Sequence, residues 1–210
     1  MMNILAISDL HGYLPEIPEC DLLLLGGDYC KTRNMEQERR FMQGEFTEWL
    51  RGIKARYIIG IGGNHDFILQ HDQELAKSLP WIYLQDELVT LEGVGIYGTP
   101  WTPPFWDWAF MKREPELKET FKDIPYNLDI LLSHGPAYRH LDKTNQGAHA
   151  GSFELWNRVK TVKPDSHVFG HIHERRGVME DAPTRFYNVT HVTLQYEPKY
   201  GPVNIPLRIE

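Results

Sequence analysis

The chain has 210 residues, 41% hydrophobic and 24% charged, with a formal net charge of −7. That length is one domain's worth, read as a single unit over 1–210, with enough chain for a full core and too much order-promoting composition for a disordered segment. The acidic balance argues against a broad nucleic-acid-binding surface, and two cysteines are too few for a disulfide framework.

Met1-Met2-Asn3 lacks the basic start of a secretory signal, and Ile4–Ile7 is too short for its apolar core. No run approaches the roughly 20 apolar residues of a membrane span. The expectation is a cytoplasmic protein with no membrane partner, in which Cys20 and Cys30 are reduced and buried. Short apolar runs then alternate with amphipathic stretches. Asn3–Ile7 reads as a strand ending at Ser8-Asp9, and Asp21–Leu25 as a second ending at Gly26-Gly27-Asp28. Over 36–53, Met42, Phe46, Trp49, Leu50 and Ile53 fall on one helical face, with Gly44 as a weak point. Arg56–Ile61 is a third strand, ending at Gly62-Gly63-Asn64. A helix is expected over 70–78, stopping before Pro80. Val89–Leu91 and Val94–Tyr97 form a hairpin about Glu92-Gly93. Pro100–Phe110 is an aromatic loop, and Leu117–Phe121 a short helix. Asp129–Leu132 is a strand ending at Ser133-His134-Gly135, and 152–160 a helix. Strands follow near Ser166–Phe169, Gly177–Met179, Arg185–Val189 and Val203–Arg208. Strand–helix alternation followed by more strands gives an α/β fold with mixed sheets.

One feature recurs along this order. Strands end in Asp9 with His11, in Asp28, in Asn64 with His65, and in His134, and Gly170-His171-Ile172-His173 follows as a fifth such stretch. In open α/β sheets the carboxyl ends of strands share one edge, so five stretches bring ligand-type side chains together. Positions i and i+2 leaving a strand point the same way, which pairs Asp9 with His11 and His171 with His173. Two Asp, one Asn and four His are nitrogen and oxygen donors without thiolate. They suit Mn, Fe, Zn or Ni, and two such ions clamp a phosphorus centre for in-line displacement by a bridging hydroxide. A lone histidine is more often a surface or core residue. His71, His140, His149, His167 and His191 are read that way.

The series Asp9-x-His11, Gly27-Asp28, Gly63-Asn64-His65-Asp66, His134-Gly135 and Gly170-His171-x-His173 resembles the calcineurin-like metallophosphoesterase superfamily. Ile82–Asp86, Ile96–Trp108 and His167–Glu174 are further similar to its metallophosphoesterase-domain-containing branch. The resemblance implies a four-layer α/β/β/α sandwich with two mixed sheets. It implies two divalent ions, manganese favoured, with Asp9, His11, Asp28 and His173 on the first and Asp28, Asn64, His134 and His171 on the second. His65 would stand by the leaving group, with Asp66 orienting it. Some members of that branch lack one histidine of the last motif, whereas His171 and His173 both stand here. The position three residues after the bridging aspartate is Lys31, not the tyrosine of purple acid phosphatases, and Tyr29 is out of register. Cys30, beside Tyr29, is read as a packing residue.

The resemblance leans toward a phosphodiesterase acting on small or cyclic nucleotides. Trp101, Phe105 and Trp106, in a loop stiffened by proline, are candidate substrate contacts by base stacking, against a plain hydrophobic cluster covering the sheet end. Arg175, with Arg176, is a candidate phosphate contact, against a solvated turn. Tyr138, Arg139, His140 and the polar 142–149 stretch are placed at the same opening. The alternatives are a nuclease or phosphomonoesterase on the same site, or a nucleotide-binding scaffold of low turnover. Scattered cations such as Arg158 and Lys163 form no basic groove, so extended nucleic-acid binding is not expected.

Overall fold

The computed structural model describes residues 2–207. Two sheets stack face to face. The first holds β1 (Ile4–Ile7), β2 (Cys20–Leu25), β3 (Ala55–Gly60), the two-residue β4 (Ile82–Tyr83) and β11 (Val203–Asn204), in the order β11-β1-β2-β3-β4. The second holds β5 (Glu87–Leu91), β6 (Val94–Thr99), β7 (Ile130–Ser133), β8 (Ser166–Phe169), β9 (Gly177–Asp181) and β10 (Thr184–Asn188), in the order β5-β6-β7-β8-β10-β9. In each sheet the central strands are parallel and the edges include antiparallel strands. The central strands are buried on both faces, so their sequences are unbroken apolar runs such as Leu22–Leu25 and Ile130–Leu132.

Three apolar layers separate four structural ones. Ile4, Ala6, Leu22, Leu24 and Ile59 face Ile96, Ile130, Leu132 and Val168 between the sheets. The other face of the first sheet packs Leu5, Leu23 and Leu25 on Met42, Phe46, Leu50, Leu69 and Leu75 of its helices. The other face of the second packs Tyr97, Leu131 and Phe169 on Leu117 and Phe121 of α5 (Glu114–Phe121) and on Leu155 and Val159 of α6 (Phe153–Val162). This is the expected α/β/β/α sandwich.

Local departures have local causes. The expected 36–53 helix runs as α1 (Met35–Phe41), a π turn (Met42–Phe46) and α2 (Thr47–Gly52). Gly44 lies in that turn, and Thr47 Oγ1 donates to the Met42 carbonyl at 2.6 Å. The 70–78 helix is two, α3 (Phe67–His71) and α4 (Gln73–Ser78), because Asp72 accepts from the Leu75 amide at 2.8 Å and caps the second. The last strand is cut to Val203–Asn204, since Pro206 has no amide to extend the ladder; Arg208 lies outside the described residues.

The two sheets also join at their carboxyl edges. The Ser8 amide donates to Val189 O at 3.1 Å, and the His191 amide to Ser8 O at 2.8 Å. The loops leaving β1, β2, β3, β7 and β8 therefore open onto one shared floor.

Candidate metal centre

Each loop turns sharply as it leaves its strand. Asp9, His11, Asp28 and His171 all adopt positive φ, at 55°, 43°, 58° and 67°. Non-glycine residues rarely hold this region, and the strain persists only where surrounding contacts over-determine it. The contacts are visible. The Asp66 carboxylate accepts from the amides of Asp28, Tyr29 and Cys30 at 2.8, 2.8 and 3.1 Å, and from the Gly63 amide at 2.8 Å. It ties the β2 loop to the β3 loop and makes no bond to the His65 ring, so the expectation that Asp66 orients His65 is corrected. A Cβ at Gly63 would collide with the Asp28 carboxylate and backbone, and one at Gly170 with Asp9 and the Ser8 hydroxyl.

The seven expected donors converge. Asp9 is 0% and Asp28 1% exposed. Asp9 Oδ1 lies 3.3 Å from His173 Nε2, which lies 3.3 Å from His11 Nε2, itself 3.7 Å from Asp28 Oδ2. Asp28 Oδ1 lies 3.4 Å from His134 Nε2, and that nitrogen 2.8 Å from Asn64 Oδ1. The His171 ring stands 5.0 Å from that of His134, and its amide holds Asp9 at 3.0 Å. Ligand atoms of Asp9, His11 and His173, and of Asp9, Asp28 and His134, lie within 4.8 Å of one another. His65 shares such a grouping with His11 and Asp28.

The residues fit metal ions. Buried carboxylates need compensating charge, and among the described residues the ion-pair partners of Asp9 and Asp28 are histidines alone. His134 Nδ1 is bound to the Gly26 carbonyl at 2.9 Å, which fixes its hydrogen there and leaves the Nε2 lone pair facing Asn64 Oδ1. A cation on Nε2 would reconcile those two acceptors, as would a proton there or a turned Asn64 amide donating to it. Burial opposes that proton, but Asp28 overrides it and pushes His134 up to about 9. Burial likewise opposes charge on Asp28, and His134 and His65 hold it well below its ordinary range. Burial lowers His11 to about 4 and His171 to about 3, leaving both as neutral donors. Asp9 is lowered against its burial by the bonded His173, which is raised in turn.

A cavity of about 490 Å³ opens over this floor, lined by Asp28, Asn64, His65, His171 and His173 and walled by Pro103, Phe105, Trp108, Leu194 and Tyr196. Of the candidate substrate contacts, Phe105 lines this cavity, its ring 5.5 Å from His171. Three other expected contacts stand elsewhere. Trp101 donates from Nε1 to Asp86 at 2.6 Å, under Lys112, and packs on Phe110 as part of a structural cluster. Trp106 is 76% exposed and outside the lining. Arg175 donates to the Lys143 carbonyl at 2.5 Å and clamps the neighbouring loop. Of 138–149, Thr144 and His149 line the cavity, while Tyr138, Arg139 and His140 do not. Two contacts go beyond the expectation. The Trp108 ring packs against His65 at 4.2 Å, tilted by 36°, and Tyr196 sets its ring 4.7 Å from His11 and 5.1 Å from His173. Trp108 lies in the aromatic run, but no sequence signal ties Tyr196 to the floor. Tyr29 points into the core, its hydroxyl 2.9 and 2.8 Å from the Leu25 and Ile61 carbonyls. Cys20 and Cys30 are buried and unpaired.

A double sandwich with two buried carboxylates, four histidines and an amide at its carboxyl edge defines a metal-binding phosphoesterase architecture. The calcineurin-like phosphoesterase family model matches residues 2–175, and the chain belongs to that family. It is similar to metallophosphoesterase domain-containing protein 1 of Homo sapiens, with 35% identity over 96% of this chain and 69% of that one. A UPF0046 protein of Caenorhabditis elegans is 34% identical over 90% of this chain and 55% of its own length. Among solved structures, a phosphopantetheinyl hydrolase from Mycobacterium tuberculosis shares the fold with a TM-score of 0.64 at 14% identity, covering 97% of this chain and 95% of that one. The family normally carries two divalent metals, and its chemistry is phosphoester hydrolysis.

Proposed function

We propose that the protein is a phosphodiesterase for small nucleotides, cyclic diesters included, working with two manganese ions in one catalytic domain. The observation that carries this is the cavity itself: a floor of buried nitrogen and oxygen donors under an aromatic wall of Phe105, Trp108 and Tyr196, with no Lys or Arg in its lining among the described residues. Stacking on such a wall contributes about 1–3 kcal/mol per base. A nuclease needs a cationic track along the backbone, and this lining has none. No helix among the described residues is long and apolar enough to cross a membrane. Two buried, unpaired thiols accord with a reducing compartment, which supports the cytoplasm.

When bound, two divalent ions supply positive charge to phosphoryl oxygens and lower the pKa of water. Asp9, His11, Asp28 and His173 would hold one, and Asp28, Asn64, His134 and His171 the other. His65 has its amide fixed on Asp28 Oδ1 at 2.7 Å and its ring against Trp108. From that position it would give a proton to the leaving oxygen as a water oxygen, releasing its own proton to solvent, bonds to phosphorus and the ester bond breaks with its electron pair passing to the leaving oxygen. The aromatic wall orients the base and excludes water from one side.

The test is hydrolysis of bis-p-nitrophenyl phosphate against p-nitrophenyl phosphate by chelated protein refilled with manganese. Preferred turnover of the diester is expected. Preference for the monoester makes the protein a phosphatase, and no turnover of either by fully loaded protein overturns the hydrolase reading for these substrates.

A further inference from the structure

The chain between Ala137 and Ser152 leaves the second sheet, folds back on itself and returns as the entry to α6. A parallel bridge of Ala137 with Ser152 and an antiparallel bridge of Lys143 with His149 close it into a compact loop. It is clamped to the turn that carries His171 and His173: Glu174 accepts from the Asn145 amide at 2.7 Å, and Arg175 donates to the Lys143 carbonyl. At its centre is Asp142, 1% exposed. Asp142 Oδ2 accepts from the amides of Arg139 and Gly151 at 2.9 and 3.1 Å, and Oδ1 lies 2.7 Å from His149 Nδ1.

A carboxylate only accepts, so Asp142 fixes the His149 hydrogen on Nδ1 and the direction of the ring. His149 Nε2 has no protein partner among the described residues, and the side chain, 33% exposed, lines the same cavity as His65, His171 and His173. His140, on the same loop, shows what a packing histidine looks like. Its Nδ1 meets the Tyr138 carbonyl at 2.9 Å, its Nε2 meets Asp181 at 3.1 Å, and its ring packs on Trp156 and Phe186 at 4.2 and 4.0 Å. The two amides already hold Asp142 in place. The imidazole adds a directed polar atom at the cavity surface, on a loop that contributes nothing to the donor groupings of the floor. Apart from His65 and the floor histidines His171 and His173, His149 is the one cavity-lining side chain among the described residues able to carry positive charge.

We propose that His149 is a substrate-contacting residue, aimed by Asp142 so that Nε2 hydrogen-bonds the organic part of the phosphoester while the phosphoryl group lies on the floor. This rests on the phosphoesterase reading of the site and names the residue that reads the rest of the substrate. Nε2 accepts from a hydroxyl or amino group when the ring is neutral and donates to a carbonyl or ring nitrogen when it is protonated. Either partner is found on a nucleoside.

Calorimetric titration of manganese-loaded protein with thymidine 5′-monophosphate and, separately, with inorganic phosphate tests the contact without requiring turnover. Loss of one hydrogen bond weakens nucleotide binding about three- to ten-fold in His149→Phe, with phosphate affinity unchanged and part of the loss recovered in His149→Gln. The thymidine 5′-phosphate p-nitrophenyl ester then shows a raised KM at unchanged kcat. Unchanged nucleotide affinity in both variants overturns the proposal. So does equal weakening of both ligands, which puts the effect at the floor, or a wild-type protein that binds phosphate and not the nucleotide. Wild-type protein that binds as expected and hydrolyses no ester leaves the contact standing and removes the hydrolase reading, so the two failures are distinct.

Discussion

At the scale of single residues, the motif side chains divide into donors and one group that stands apart. His65 lies beside the floor, 4.7 Å ring to ring from His11, yet its ring is held by an indole. The seven expected donors sit within a few residues of a strand end, where backbone direction and strand spacing fix their position; that is why their types and order are legible in the sequence. Asp66 is legible as a polar residue of the same motif, but its role depends on amides contributed by another loop. Trp108 and His149 reach the cavity from long excursions whose path local patterning does not encode, and Tyr196 comes from beyond residue 175, where the family match ends. The His65–Trp108 contact has a measurable consequence. His65→Ala should lower turnover about 10²- to 10⁴-fold with metal content intact, as loss of general acid help does. Trp108→Ala should lower kcat several-fold, since an aromatic pair is worth about 0.5–1.5 kcal/mol, and should add nothing in the His65→Ala background. Elemental analysis alongside steady-state rates checks both; metal loss in His65→Ala, or additive losses in the double variant, contradicts these roles.

At the scale of elements, the strands were legible because double-sided burial makes them continuous apolar runs, and the helix faces because their period survives a π turn. What was hidden is set by contacts at a distance: β4 is two residues placed by pairing with Ile59 and Gly60, and the break before α4 is made by the side chain of Asp72. Glu38 shows the same dependence. It lies on α1, 1% exposed, and its Oε2 accepts from the Ile68 amide at 2.8 Å, fastening the start of α3, while Oε1 is buried without a partner. Burial pushes its carboxyl up to about 7, against the pull of the Ile68 and Phe67 amides. The folded state then binds more protons than the unfolded chain between the ordinary value of 4.5 and about 7. Stability contributed by this group is therefore full at acid pH and falls as pH rises through that window. Glu38→Gln carries no such charge. Its melting temperature should match the wild type near pH 5 and exceed it by a few degrees at pH 8, the cost of the buried charge being at most about 3 kcal/mol. Thermal unfolding of both proteins across that range decides it, and parallel profiles would show that Glu38 is not the group responsible.

For the molecule as a whole, strand–helix alternation makes an α/β fold with mixed sheets legible and the strand-end motifs make one shared edge legible, whereas the four-layer sandwich is what the family resemblance implies, and its single floor requires the two carboxyl edges to meet. That meeting concentrates charge. Asp9 and Asp28 lie in the interior, where their ion-pair partners among the described residues are histidines, and four of the loop residues holding the floor sit at positive φ. The fold therefore carries a local penalty at its functional edge that cations relieve. Ligands that bind only the folded state stabilise it by about 2.7 kcal/mol per site at one hundred times Kd. For a chain of this size each kcal/mol raises the melting temperature by roughly 2–4 °C. Refilling chelated protein with manganese should thus raise its melting temperature by roughly 5–10 °C for the first site filled, and further for a second. Asp28→Asn removes the carboxylate proposed to serve both donor sets. Because His134 and His65 hold the Asp28 carboxyl well below its ordinary range, the ionised group stabilises the metal-free fold above that range, so the apo variant should melt below the wild-type apo protein at pH 7 and approach it as pH falls. The manganese response should nearly disappear at every pH, and a variant that keeps the full manganese shift shows that Asp28 does not serve both sites.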